Sequence, residues 1–314
     1  MKYSLQVLPP DRLTQTEFCM QTVRKKIAYI VNPNAGVLDK KQIVELIKAH
    51  TPVGIDYEII NWEAPEQGKE ITRRVIDEKF STAVAVGGDG TVNEISKALV
   101  DSSISLAIIP IGSGNGLARH LRIPLDVKKA IQLIAKGEER IIDSCFINGK
   151  AFFCTSGIGF DAHIGKLFAE STTRGFSTYA KITIGQLMRY KPVEYSLTIN
   201  NEKIRRRAFL ITFANASQYG NDAFIAPQAS VKDGLIDVCI LKPFKFWNVP
   251  SIAWKFFNKS INNSSFMETY KVSEVDVERD FNGPAHYDGE PDVMGSKLTI
   301  RIKPASLRVI APSN

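Results

Sequence analysis

The sequence predicts an α/β domain built on a parallel sheet, followed by an antiparallel β-sandwich domain. Three observations carry this reading. In the first half, short runs that are apolar throughout (Ile27–Val31, Thr82–Val86, Leu106–Ile111) alternate with segments of helical spacing, as in parallel sheets covered on both faces. Near Asp143 the period changes to two: Val193, Tyr195, Leu197 and Ile199 alternate with Glu194, Ser196 and Thr198. The chain has 314 residues, and domains run to about 150 residues each. The expected division is 1–143 and 144–314, with 1–24 a loosely attached extension and the last ten or so residues returning to the first domain.

The elements follow in order. Lys40–His50 carries Ile43, Val44 and Ile47 at helical spacing, Gly54–Asn61 reads as a strand, and Glu66–Phe80 as a helix through Ile71, Val75 and Ile76. Helices are expected over Val92–Val100, from Leu117 onward and over Asp126–Ala135. Beyond Asp143, Asn148-Gly149 between Cys145–Ile147 and Ala151–Phe153 predicts a hairpin. Asn200-Asn201 turns the chain into a strand over Lys203–Ala214. Leu235–Leu241, Thr269–Val277, Leu298–Ile302 and Leu307–Ala311 complete the sandwich.

Composition excludes several classes. The chain is 44% hydrophobic and 23% charged, which suits a globular fold with a real core. Cys19, Cys145, Cys154 and Cys239 form no Cys-x-x-Cys pair, so a zinc site or disulfide framework is not expected. No apolar stretch is long enough to span a bilayer, and Met1–Thr22 lacks a signal-peptide pattern. The net charge is +7, and no nucleic-acid motif accompanies it.

Three of the first-half strands end in loops of small residues. They are Asn32-Pro33-Asn34-Ala35-Gly36, Gly87-Gly88-Asp89-Gly90-Thr91 and Gly112-Ser113-Gly114-Asn115-Gly116. The last two open helices. In an open α/β sheet ligands bind at the carboxyl ends of strands, and helix N-termini offer N–H groups to phosphate. One such loop could be only a turn; three on one edge point to a polyphosphate. Neither the dinucleotide glycine pattern nor the P-loop is present.

The motifs Gly-Gly-Asp-Gly-Thr-Val-Asn-Glu (87–94), Pro-Ile-Gly-Ser-Gly-Asn (110–115) and Asp-Gly-Glu (288–290) occur in this order. Together they resemble the soluble diacylglycerol and sphingosine kinases, the lipid-kinase branch of a superfamily that also holds NAD kinases and phosphofructokinases. The resemblance implies a phosphofructokinase-like α/β domain, a β-sandwich, and ATP in the cleft between them. It implies nucleotide contacts from Asn32, Pro33, Asn34, Ala35 and Gly36, from Asn61, from Gly87, Gly88, Asp89, Gly90, Thr91, Val92, Asn93 and Glu94, and from Gly112 and Ser113. It also implies a structural Mg²⁺ held by Asp233 with oxygen ligands near Ser230 and Leu235. A hard cation that keeps part of its water suits one carboxylate plus carbonyls; the plain alternative for Asp233-Gly234 is a β-turn.

An alcohol acceptor must lose a proton, so a carboxylate beside it is expected. Glu290 is the candidate general base, with Asp89 as rival, and Asp288-Gly289 reads as the turn that presents Glu290. Asp161 is a candidate ligand for the lipid head group, against a helix N-cap. The four histidines show no metal spacing and read as surface or packing residues. Gly116 stands where many bacterial diacylglycerol kinases of this type have Asp, and is more like the sphingosine and ceramide kinase branch. Residues 166–207 hold nine Lys or Arg and three Glu. Within them Tyr179–Tyr190 reads as a short amphipathic helix. Phe244–Lys259 interleaves aromatics with three Lys. Both segments suit an anionic membrane surface, against helices packed on the sandwich. The expectation is thus an ATP- and Mg²⁺-dependent lipid kinase, cytoplasmic and bound peripherally at the inner face of a membrane, without nucleic acid; a homodimer is left open. A kinase of a soluble acceptor and a silent sensor are the alternatives.

Overall fold

The computed structural model describes residues 26–32, 39–64, 67–173 and 176–313. Pro33, Asn34, Ala35 and Gly36, and the expected extension 1–24, lie outside the described residues.

The chain begins with a βαβ series. Strands β1 (Lys26–Val31), β2 (Asp56–Asn61), β3 (Thr82–Gly87) and β4 (Ser105–Pro110) lie in the order β2-β1-β3-β4, all parallel. Strands β3 and β4 are buried along their whole length, which is why they read as unbroken apolar runs. Helices α1 (Lys40–His50), α2 (Gln67–Asp77), α3 (Asp89–Leu99), α4 (Gly116–His120) and α5 (Val127–Lys136) connect and cover them. Ile43 and Ile47 of α1 and Ile131 and Ile134 of α5 pack on one face. Val75 of α2 and Val92, Ile95 and Leu99 of α3 pack on the other. All parallel strands end at one edge, so the loops after β3 and β4 meet there.

Strand β5 (Glu138–Ile147) crosses the expected boundary at 143. It pairs along both halves of the last strand, β16 (Lys297–Ala311), whose register shifts between Lys303 and Leu307. Beyond that bulge, Val309 lies parallel to Leu106 of β4. Before it, β16 pairs with β13 (Glu274–Glu278), which leads to β8 (Val193–Ile199) and β9 (Glu202–Ala208). One sheet therefore runs through both halves of the molecule. Asp143, 2% exposed, ties the bulge down: its carboxylate accepts from Ala305 N at 2.8 Å and Gly234 N at 2.9 Å.

A second, antiparallel sheet has the order β12 (Met267–Val272), β11 (Ile236–Leu241), β10 (Leu210–Ala214), β7 (Thr155–Gly159), β14 (Gly283–Tyr287), β15 (Glu290–Met294). The short β6 (Lys150–Phe152) closes the hairpin with β5 through Asn148-Gly149. Tyr195, Leu197, Phe213, Val238 and Ile300 fill the space between the two sheets. Three expectations are corrected. Lys203–Ala214 is two strands in different sheets, parted at Phe209, whose N–H donates to Leu241 O. Thr269–Val277 divides at Ser273 in the same way, and Leu298–Ile302 and Leu307–Ala311 are one bulged strand. Outside the second sheet lie α6 (Phe160–Glu170), α7 (Phe176–Leu187) and α8 (Val249–Phe257), the last preceded by a 3-10 turn at Phe246–Asn248.

Candidate active site

The loop after β3 passes straight into α3, with Gly88 as the residue before the first helical turn. The loop after β4 packs against it so closely that a Cβ on Gly112 would lie 2.5 Å from Gly88 Cα. Glycine is thus required there by backbone contact. Asp89 locks the pair of loops: its two carboxylate oxygens accept from Asn115 N at 2.8 Å and Gly116 N at 2.7 Å. Asn115, in the left-handed region at φ 53°, clips its own loop by accepting from Gly112 N at 3.1 Å and donating to Gly112 O at 2.7 Å. Burial pushes Asp89 up to about 6, against the two backbone N–H groups that favour its charge, with the Asp288 carboxylate adding to the rise.

The third part of the cleft comes from the sandwich. Asp288 and Gly289, at φ 49° and 85°, form the tight turn between β14 and β15. The Asp288 carboxylate accepts four hydrogen bonds: from Asn93 Nδ2 at 2.7 Å, Phe153 N at 2.9 Å, Cys154 N at 2.8 Å and Thr155 N at 3.1 Å. Burial raises its pKa and these four donors oppose the rise. The fixed turn presents Glu290, which is exposed, to the phosphate loop: a Cβ on Gly90 would lie 2.6 Å from Glu290 Oε1.

Several expected nucleotide contacts have other uses for their side chains. Thr91 is buried and accepts from Asn32 Nδ2 at 3.0 Å. Val92 packs in the core. Asn93 Nδ2 also reaches Ala151 O at 3.1 Å. Glu94 lies 3.8 Å from Lys97. What this segment offers a phosphate is its backbone, at Gly88, Asp89 and Gly90 on the N-terminus of α3. Ser113 is exposed at the tip of the neighbouring loop, and Asn61 ends β2 on the same sheet edge, beside Val31.

Gly116 has a steric reason. A Cβ there would meet Cys154 Sγ at 2.8 Å, Tyr219 O at 3.3 Å and Gln218 O at 3.4 Å. An Asp at this position does not fit the neighbours this chain has.

Asp161 does not cap α6, which Gly159 opens. Its carboxylate lies in a buried polar group, 3.2 Å from His286 Nε2, 3.2 Å from Thr212 Oγ1 and 3.3 Å from Tyr219 Oη, directly above Gly157. The reading of His286 as a packing residue missed this pairing. His120 is half-buried, accepting from Ser217 N at 3.1 Å, and its partial burial lowers it to about 4.

The expected magnesium loop is differently occupied. Asp233 Oδ2 lies 2.9 Å from Lys271 Nζ, and Lys271 also reaches Asp237 at 3.4 Å and Gln228 O at 3.5 Å. Asp233 Oδ1 accepts from Leu235 N at 3.2 Å, and Ser230 Oγ from Lys232 N at 3.3 Å. The Lys271 ammonium thus pairs with the one carboxylate expected to hold the ion. Among the described residues no cluster of three His, Cys, Asp or Glu is placed to hold a metal.

Two glycine loops locked on each other at the carboxyl edge of a parallel sheet, with a carboxylate brought over them from the sandwich, form a cleft suited to a polyphosphate. Residues 26–147 match the diacylglycerol kinase catalytic domain, and residues 155–311 match the YegS C-terminal NAD kinase beta sandwich-like domain. The chain belongs to this family of YegS-like lipid kinases. It is 30% identical over 263 residues to a probable lipid kinase YegS-like of Pseudomonas aeruginosa (strain UCBPP-PA14), covering 81% of this chain and 84% of that one. It is 24% identical over 265 residues to the corresponding protein of Shewanella frigidimarina (strain NCIMB 400), with the same coverage. A diacylglycerol kinase crystal structure from Bacillus anthracis str. Sterne shares the fold, with TM-score 0.70 and 20% identity over 91% of this chain and 97% of that one. The chain is a kinase, and a kinase of this family uses ATP.

Proposed function

We propose that the protein transfers the γ-phosphate of ATP, presented with Mg²⁺, to a hydroxyl of a membrane lipid. The observation that carries the reading is the approach of Glu290 to Gly90. It sets a solvent-accessible carboxylate beside the loop that would hold the γ-phosphate.

Phosphoryl transfer asks the protein chiefly for position and charge neutralisation. The N-terminus of α3 and the adjoining loop supply backbone N–H groups to the phosphates. Glu290 takes the proton of the acceptor hydroxyl as its oxygen bonds to phosphorus and the bond to the ADP oxygen breaks. Asp89 is the weaker candidate for this role, because both of its oxygens are engaged by Asn115 and Gly116. Its part is to hold the two loops in register.

The test is ³²P transfer from ATP to a panel of diacylglycerol, monoacylglycerol, sphingoid base and phosphatidylglycerol in mixed micelles, with NAD as the soluble acceptor. Labelling of one lipid class that Glu290→Gln abolishes supports the reading. Labelling of NAD alone would replace it by the soluble-acceptor reading. No transfer to any of them would favour a sensor.

A further inference from the structure

Helices α7 and α8 form the outer layer on the second sheet. Their inner sides are anchored in one cluster: Ile182, Leu187 and Tyr190 from the α7 segment, and Phe244, Ile252 and Phe256 from the α8 segment, pack with Phe160, Phe209 and Leu210. Ring contacts tie them, with Phe209 tilted against Phe244 at 4.7 Å and edge-to-face with Tyr190 at 5.4 Å. The outward sides are apolar too. Phe246 is 61% exposed, Trp247 71%, Trp254 69% and Phe257 52%, and Ile184 of α7 and Met188 just after it are 69% and 68% exposed. In a protein whose core is otherwise well covered, so large an unpartnered aromatic surface marks a docking face.

The charge around it selects the occupant. Between Asp237 and Glu268 there is no acidic residue, while Lys242, Lys245, Lys255 and Lys259 all fall in that stretch. Lys242 pairs with Glu268, whereas Lys245 lies over the Trp247 ring at 4.9 Å and Lys259 over Phe224 at 4.6 Å. Around α7, no acid lies between Glu170 and Glu194. A second copy of the chain, docked through a twofold axis, would set lysine against lysine. Aromatic side chains with a basic rim match the interface of an anionic bilayer, where rings sit at head-group depth and cations meet phosphate.

We infer that the Phe246–Phe257 segment is the surface by which the enzyme seats on anionic phospholipid. This extends the lipid-acceptor reading above and rests on it for its purpose, but its test reads binding alone, so the two fail separately.

The chain has three tryptophans. Trp62 is buried in the first domain, and Trp247 and Trp254 are exposed on the proposed face, so intrinsic fluorescence reports on it. The full chain is mixed with vesicles of phosphatidylglycerol and phosphatidylcholine, or of phosphatidylcholine alone, and followed by co-sedimentation and tryptophan emission. Binding to the anionic vesicles, a blue shift, and quenching by brominated acyl chains are expected. Lys245→Gln with Lys259→Gln should weaken binding about 25-fold, at about fivefold per basic residue removed. Trp247→Ser with Trp254→Ser should abolish sedimentation while circular dichroism stays unchanged. Absence of binding, or binding with unshifted emission, overturns the inference. So does a concentration-dependent dimer that the tryptophan variant dissolves, which would make this face an interface between copies.

Discussion

Asn93 Nδ2 lies 2.7 Å from Asp288 Oδ2, a hydrogen bond between the helix after the phosphate loop and the turn that carries Glu290. The two residues stand 195 positions apart in the chain, and this bond couples the two domains at the cleft. Asn93→Ala removes one of four donors to a buried carboxylate, which costs about 1–3 kcal/mol. The expected result is a lower urea midpoint together with a fall in kcat of about 10-fold or more, since Glu290 loses its fixed position. Loss of stability with unchanged kcat would separate the turn from catalysis.

Glu290→Gln keeps shape and removes basicity. Because the Glu290 side chain is exposed and its carboxylate has no hydrogen-bond partner among the described residues, the fold should be indifferent to the change. A fall in kcat of about 10²–10⁴-fold with little change in the KM for ATP is expected in steady-state assays. Asp288→Asn, which the turn reading alone would make mild, should instead destabilise the protein. An amide NH₂ would face backbone N–H groups that the carboxylate now accepts.

Asp89 makes activity and stability move in opposite directions with pH. Its folded pKa, about 6, lies above its ordinary value of 3.8. The folded state therefore binds the proton more tightly, and the associated stability is full below 3.8 and lost as pH rises through about 6. The ionised form, however, is the one that accepts both Asn115 and Gly116. ATP affinity should fall as pH drops through about 6, while urea stability relative to Asp89→Asn should improve. Calorimetric ATP titrations and melts at pH 5 and 7.5 check both arms.

Gly116→Ala should cost about 1–3 kcal/mol through its clash with Cys154. In a Cys154→Ala background the added cost should largely vanish, because the nearest obstructing atom is gone. A double-mutant cycle of thermal melts measures this coupling.

Lys271→Ala should leave Asp233 and the buried Asp237 without their cation. Thermal stability is expected to drop, and to be restored in part by millimolar Mg²⁺. Wild-type stability should not respond to EDTA. A wild-type melting temperature that rises several degrees with Mg²⁺ would show that the loop binds the ion despite Lys271.

The residues of the sequence determine the βαβ order and the position of the cleft, for local reasons. Parallel strands buried on both faces must be apolar throughout, and their shared direction brings every following loop to one edge, so Gly87–Thr91 and Gly112–Gly116 meet without any long-range information. The hairpins at Asn148-Gly149, Asn200-Asn201 and Asp288-Gly289 were equally local, since only such residues tolerate two successive positive φ angles. What the tertiary structure alone decided is which side chains face which. The break at Phe209 depends on two sheets diverging from one apolar run. The four donors to Asp288 come from residues more than 130 positions away. His286 of β14 meets Asp161 of α6, and Lys271 of β12 meets Asp233 in the turn before β11. A carboxylate's role is set by the donors and cations packed around it, and those partners are assembled only when the sandwich closes over the α/β domain.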